Sequence, residues 1–215
     1  MLINEFYLDG HDFVPAIKYH MYEANILDDV DISFIKNFCL KLETEMVSKY
    51  PSDEDGSTRL GKNSLTSRYK FYSLFTYEEM KPLANSIRKH YNSFLSKMNK
   101  ETNHNIYCQS WANVLRKEEK MSRHNHWAMD YTYLSGHVCI SANDTHTNYY
   151  HPITGKQFKS KNEPGKLTIF PSWIFHDTDP VKHDEERITI AMDIYNQKGF
   201  DEDIYDDKKW RWVKL

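Results

Sequence analysis

Two histidines one residue apart, in Ser122-Arg123-His124-Asn125-His126-Trp127, are the side chains of this sequence best placed to share a metal ion. In an extended segment, alternation with period two puts both imidazoles on one side. A third histidine, His176, ends the stretch Phe170-Pro171-Ser172-Trp173-Ile174-Phe175-His176. After ten more residues, Arg187 opens the alternating segment Arg187-Ile188-Thr189-Ile190-Ala191-Met192-Asp193-Ile194. Neutral imidazole is a ligand for iron, copper, nickel or zinc. On an alternating strand Arg187 and Thr189 share one face, opposite Ile188, Ile190, Met192 and Ile194. A guanidinium on an enclosed face needs an anion, and its planar fork suits a carboxylate. Plainer readings stand beside these. Among 11 histidines a pair two apart arises by chance and stays solvated, and Arg187 could form an ion pair with Asp193 or Glu163 or lie exposed at a sheet edge.

The elements that must position these groups differ between the two halves of the chain. Phe13 to Tyr22 alternates loosely and suggests an early strand. From Asp31 to Met46, Ile32, Ile35, Phe38, Cys39, Leu42 and Met46 recur at helical spacing, with Asp31 able to cap the first free amides. Ser52 to Ser67 is polar, without a period, and reads as a loop. A second helix is predicted over Glu79 to Met98. Thr76 and Glu79 have capping-box spacing, but Pro82 would then fall past the first turn, which moves the start towards Met80. Beyond Asn105 the texture is β: Ile106–Leu115, Leu134–Ala142, Thr147–Tyr150, Lys166–Phe170 and Arg187–Ile194 are the predicted strands. Short strands without intervening helices indicate an antiparallel sandwich or barrel. The histidines then fall at strand ends and connections, which a jelly roll gathers at its mouth.

Bulk properties limit the rest. With 215 residues, 40% hydrophobic and 14% aromatic, the chain can bury one sizeable core, and residues 1–215 are expected to form one domain. A net charge of −3 and a pI near 6.4 give no polybasic field for sequence-independent nucleic-acid binding. No run of about 18 apolar residues exists, and Met1-Leu2-Ile3-Asn4-Glu5 lacks the basic and apolar regions of a signal peptide, so a soluble, cytoplasmic protein is expected, without membrane partners. Cys39, Cys108 and Cys139 lie in apolar contexts without paired spacing and read as buried thiols.

The stretch from Gln109 to Asp193 resembles the 2-oxoglutarate and Fe(II)-dependent oxygenase superfamily, within it the uncharacterised oxygenases of bacteria and of phages of marine cyanobacteria. The resemblance rests on Ser110-Trp111-Ala112-Asn113-Val114, His124-Asn125-His126, Ser135-Gly136, Gly165-Lys166-Leu167-Thr168-Ile169-Phe170-Pro171-Ser172-Trp173, His176 and Arg187-Ile188-Thr189-Ile190. It implies a double-stranded β-helix, a distorted jelly roll, with helices outside its larger sheet. It also implies Fe(II), 2-oxoglutarate as cosubstrate and dioxygen, and hydroxylation of a small molecule or protein side chain with release of succinate and carbon dioxide. His124 and His176 would be metal ligands, and Arg187 would pair with the distal carboxylate of 2-oxoglutarate, with Thr189 and Asn113 as further hydrogen-bonding groups. The sequence departs from the superfamily at the middle ligand, where His126 stands instead of Asp or Glu; Asp130, four residues on, is the alternative carboxylate. A phage-encoded protein would work in the host cytoplasm.

Around this centre, His137 shares a strand face with Cys139 and is a pocket candidate, while Trp127, Tyr149, Tyr150 and Trp173 flank the ligand-bearing segments as a candidate rim. Each has packing as its alternative. Two other functions stay open: a cupin-like jelly roll holding zinc or nothing, which has no need of Arg187, and a phage-type interaction module. The latter would use the apparent insertion 143–164 and the aromatic-basic tail Lys208-Lys209-Trp210-Arg211-Trp212-Val213-Lys214-Leu215. Substrate identity and oligomeric state, a homo-oligomer included, are not written in the pattern.

Overall fold

The structure is a computed structural model that describes residues 1–49, 65–66 and 73–215. In chain order, strands β1 (Leu2–Leu8) and β2 (Ile17–Asn25) lead to helix α1 (Ile32–Lys49). The two-residue strand β3 (Leu65–Thr66) follows, and then α2 (Lys81–Lys97). The β-rich half holds β4 (Ile106–Leu115), β5 (Leu134–Ser141), β6 (His146–Tyr150), β7 (Gln157–Lys161), β8 (Lys166–Pro171), β9 (Phe175–Thr178) and β10 (Arg187–Asn196). Helix α3 (Gln197–Asp203) and β11 (Val213–Lys214) close the chain.

All strand pairs are antiparallel. The larger sheet runs β1-β2-β8-β5-β10-β4-β11, with β3 on β4, and the smaller runs β7-β6-β9. This is the expected jelly roll. The strands predicted beyond Asn105 fall where the alternation put them, the early one runs Ile17–Asn25 instead of Phe13 to Tyr22, and β1, β3, β7, β9 and β11 are additional. The stretch 143–164, expected as an insertion, is instead the β6–β7 hairpin, two of the three strands of the smaller sheet. Its residues Gln157-Phe158-Lys159-Ser160-Lys161 are too polar to read as a strand because β7 is an edge, with one row of backbone groups unpaired. The C-terminal tail pairs through Val213 and Lys214 with β4, on the chain's own sheet. The expected loop 52–67 lies outside the described residues except at β3.

Each face of β10 does one job. Ile188, Ile190, Met192 and Ile194 are all fully buried in one cluster with Ile35, Cys39 and Leu42 of α1 and Leu83, Ile87 and Tyr91 of α2. The two helices thus cover the outer face of the larger sheet, at a typical gain of about 1.5–3 kcal/mol for each aliphatic side chain buried. Asp31 caps α1, accepting from Phe34 N at 3.0 Å. The capping box at Thr76 does not form: Thr76 Oγ1 donates to Ser73 O, a 3-10 turn over Glu78–Met80 precedes α2, and Pro82 falls in its first turn, where no amide is needed. The other face of β10 lines the barrel interior. There Tyr19, Met21, Tyr149, Phe170 and Ile174 form a second apolar cluster between the sheets. At Gly165, φ of +79° and a virtual Cβ 2.6 Å from the Leu27 side chain require glycine in the turn that launches β8.

Candidate metal centre and anion pocket

The stretch 122–127 lies against β9 as an extra, irregular strand. His124 N donates to His176 O at 3.0 Å, His176 N returns a bond to His124 O at 2.8 Å, and His126 N donates to Ser172 O at 2.8 Å. This pairing brings the three rings together, with centroids 4.4 Å apart for His124 and His176 and 5.2 Å for each of the other pairs. One nitrogen from each of the three lies within 4.8 Å of the others.

Which nitrogens they are follows from the remaining contacts. Nδ1 of His124 lies 2.7 Å from Ser122 O, Nδ1 of His176 lies 3.1 Å from Ile174 O, and Nδ1 of His126 lies 2.5 Å from Asp193 Oδ1. All three acceptors demand a proton on Nδ1, so each neutral ring presents its Nε2 lone pair to the common centre. Burial, and next the neighbouring His124, push the His176 imidazole well below its usual range. Trp111 stacks on His126 at 5.7 Å and Phe170 meets His176 edge-on at 4.9 Å, so ring orientation is fixed by packing as well. Three convergent, oriented imidazoles fit a divalent first-row transition metal. Among the described residues no carboxylate joins the group, and Asp130 lies in the turn after Trp127, outside it.

Arg187 is 2% exposed and lies on the inner face of β10, just before an irregularity in the β5–β10 register at Ile188/Thr189 of the kind that re-aims side chains near sites. Its Nε donates to Thr145 Oγ1 at 3.2 Å. The ion pairs offered by the sequence do not form: Asp193 is turned to His126, and among the described residues no carboxylate lies within ion-pair distance of Arg187. Burial lowers the affinity of the guanidinium for its proton, and the more distant Cys139, Tyr149 and Asp179 offset that cost only in part. Nearby polar groups wait in the same condition. Tyr149 OH, Thr168 Oγ1 and Asn113 Oδ1 are sealed from solvent without hydrogen-bond partners, and the Tyr149 and Thr168 hydroxyls approach each other without closing a bond. Thr189, opposite Asn113 and Cys139, shares the face. An unpaired cation among unsatisfied hydroxyls is a cradle for a carboxylate.

His137 links the two sites. It lies opposite Ala191 of β10 and Thr168 of β8, with Tyr149 and Phe170 rings 6.5 and 6.3 Å away. Burial, then the charge of Arg187, drives its pKa down to about 3, so it faces the pocket as a neutral imidazole. Of the expected rim, only Trp127 is open, at 63% exposure beside His126. Tyr149 is buried in the interior, Trp173 meets Tyr19 edge-on, and Tyr150 points to the outer face of β6, where Arg123 stacks on its ring at 3.5 Å. Sequence reasoning missed Thr145, Thr168, Ser135 and the role of Asp193. Only the alternation of β10, which puts Asp193 on the Arg187 face, carried a signal for any of them.

Residues 151–193 match the family model described as "Putative 2OG-Fe(II) oxygenase". Among curated proteins none matches the sequence. In fold the chain is similar to a prolyl-4-hydroxylase from Pseudomonas putida, with a TM-score of 0.54 at 10% identity over 82% of this chain and 92% of that one. The viral collagen prolyl hydroxylase of Paramecium Bursaria Chlorella virus-1, solved with 2-oxoglutarate, gives 0.54 at 15% identity over 81% and 94%. SnoK, the α-ketoglutarate-dependent carbocyclase of nogalamycin biosynthesis, gives 0.56 at 8% identity over 86% of each chain. The matched segment carries β7 through most of β10, with His176 and Arg187 in it, and the fold around it is the double-stranded β-helix that these enzymes share.

Proposed function

We propose that the protein is a 2-oxoglutarate-dependent hydroxylase in which His124, His126 and His176 hold Fe(II) through Nε2, and Arg187 receives the distal carboxylate of 2-oxoglutarate. The observation that carries this reading is the coexistence, in one barrel, of three converging imidazole nitrogens and a buried guanidinium that, among the described residues, has no carboxylate in ion-pair contact. A metal-holding jelly roll without keto-acid chemistry needs the first and not the second.

When bound, iron with 2-oxoglutarate and dioxygen supplies oxidative decarboxylation to succinate and carbon dioxide and the oxidising power to hydroxylate a C–H bond. The protein's part is orientation and exclusion. Arg187, with Tyr149, Thr168 and Thr189 around it, fixes one end of the keto acid so that its other end reaches the histidines. His137 stays neutral and adds no positive charge against Arg187. Tyr19, Met21, Phe170 and Ile174 wall the interior against water. Trp127, exposed next to His126, marks the side from which substrate approaches. The similar folds include prolyl hydroxylases and a carbocyclase of nogalamycin biosynthesis, so the barrel does not dictate substrate, and a small molecule or a protein side chain both suit an open rim.

The test is an anaerobic titration of the purified chain with Fe(II) and then 2-oxoglutarate, following the visible charge-transfer band of the ternary complex. Succinate release on admitting oxygen is the second readout. Metal binding without any response to 2-oxoglutarate would hand the site to the cupin-like alternative.

A further inference from the structure

We propose that Asp193 is a positioning residue that supplies to the three-histidine centre, through His126, the negative charge that a facial triad places directly on the metal. This rests on the metal-centre reading above.

The sequence puts histidine where the superfamily has a carboxylate, so the ligand set itself is uncharged. The carboxylate has not left the site, however. Asp193 Oδ1 lies 2.5 Å from His126 Nδ1, with the two side chains 10% and 5% exposed. The same oxygen accepts from Ser135 Oγ at 2.9 Å, Ser135 Oγ is 2.8 Å from Ser172 Oγ, and Ser172 O accepts His126 N at 2.8 Å. His126, Asp193, Ser135 and Ser172 therefore close a ring of hydrogen bonds that ties β10, β5 and the end of β8 to the 122–127 stretch. Ring closure leaves His126 one tautomer and one orientation. Trp111, stacked on the other side, prevents the imidazole from swinging away.

Charge makes the carboxylate more than a brace. Two imidazoles, one carboxylate, Fe(II) and dianionic 2-oxoglutarate sum to one negative charge. Three imidazoles with the same metal and keto acid sum to zero, and Asp193 restores the difference from one imidazole away. Enclosure makes the replacement effective, because a charge in a low-dielectric interior acts over such a distance with little screening. Outer carboxylates on metal-bound histidines typically change metal affinity by about 10- to 100-fold when mutated.

Asp193→Asn keeps the shape and an acceptor for Nδ1–H while removing the charge; Asp193→Ala removes both. Measured by competition with a chromophoric chelator, Co(II) and anaerobic Fe(II) should bind Asp193→Asn about 10-fold or more weakly, and Asp193→Ala more weakly still. The Fe(III)/Fe(II) midpoint potential of Asp193→Asn should move positive, which loss of a mere packing contact would not bring about. In a His126→Ala background, Asp193→Asn should have no further effect on metal affinity, the signature of action through His126. Should the variants fail to fold, wild-type protein loaded with Co(II) decides: a hyperfine-shifted, slowly exchanging Nδ1–H from His126 is expected, and its absence overturns the proposal. Wild-type metal affinity in Asp193→Asn, an unmoved potential, or an equal loss in the His126→Ala background also overturns it. Wild type that binds no metal fails the metal-centre reading instead.

Discussion

Arg187→Met removes the one group that the anion pocket cannot lose. In the absence of ligand, Arg187 is 2% exposed and donates to the neutral Thr145, and among the described residues no carboxylate pairs with it. The folded protein bears that desolvation alone. Exchanging a poorly compensated buried charge for an apolar side chain of similar volume is commonly neutral or stabilising by about 1–4 kcal/mol, so the ligand-free variant should melt no lower than wild type. With 2-oxoglutarate the sign reverses. Breaking a buried, paired charge costs about 3–5 kcal/mol, or roughly 150- to 5000-fold in Kd; with Tyr149, Thr168 and Thr189 still in place, the lower end of that range, about 150-fold, is expected. Thermal melting under anaerobic Mn(II) reads both effects. Ligand at about 100 times the wild-type Kd stabilises wild type by about 2.7 kcal/mol, or roughly 5–10 °C for a chain of this size, and the variant by less than about 2 °C. Metal affinity should be unchanged, since Arg187 is not among the converging groups. A variant with wild-type response to 2-oxoglutarate, or one markedly destabilised without it, refutes the reasoning.

Alanine at His124, His126 or His176 should each weaken Fe(II) binding by well over about 10-fold in equilibrium dialysis, while Asp130→Asn, outside the cluster, binds as wild type. The pKa of His137 is depressed to about 3 from 6.5, so the unfolded chain takes up a proton that the folded chain refuses. Stability from this group is complete above pH 6.5 and is lost as pH falls towards 3; urea unfolding of metal-free protein at pH 7, 6 and 5 should show a slope that His137→Gln reduces by up to about 1.4 kcal/mol per pH unit. Asp31→Ala, which strips the cap from α1, should cost about 1 kcal/mol, read as a melting temperature about 2–4 °C lower with cofactor binding untouched.

What the sequence disclosed and what it hid have a common physical cause. Strands buried on at least one face, such as Ile106–Leu115 and Arg187–Asn196, must alternate or run apolar, and they were legible almost to the residue. Strand β7 lies at a sheet edge, pairs on one side and carries polar residues, and its pattern is that of a loop. The three histidines were legible because two share a strand-like spacing and the third follows a proline-ended apolar run. Their partners were not: Ser172, Ser135 and Asp193 are held together by pairing of β5 with β8 and β10, across sequence separations of 37 and 58 residues, which no local pattern records. Tyr149 was visible as an aromatic but misplaced at a rim, because the face of a five-residue strand cannot be fixed until its neighbours are known.

Strand β10 shows how folding and chemistry are made to depend on one register. Its outward residues Ile188, Ile190, Met192 and Ile194 are wholly buried against α1 and α2, while the inward row carries Arg187 at the anion pocket and Asp193 at His126. With a side-chain period of two, a slip by one residue would drive a guanidinium and a carboxylate under the helices and put isoleucines on the metal side. Each charge so misplaced costs several kcal/mol, beyond the lost burial of four apolar side chains. The helices therefore do more than cover the sheet. By making the wrong register prohibitive, they fix Arg187 and the partner of His126 on the same strand, six residues apart, on one inner face.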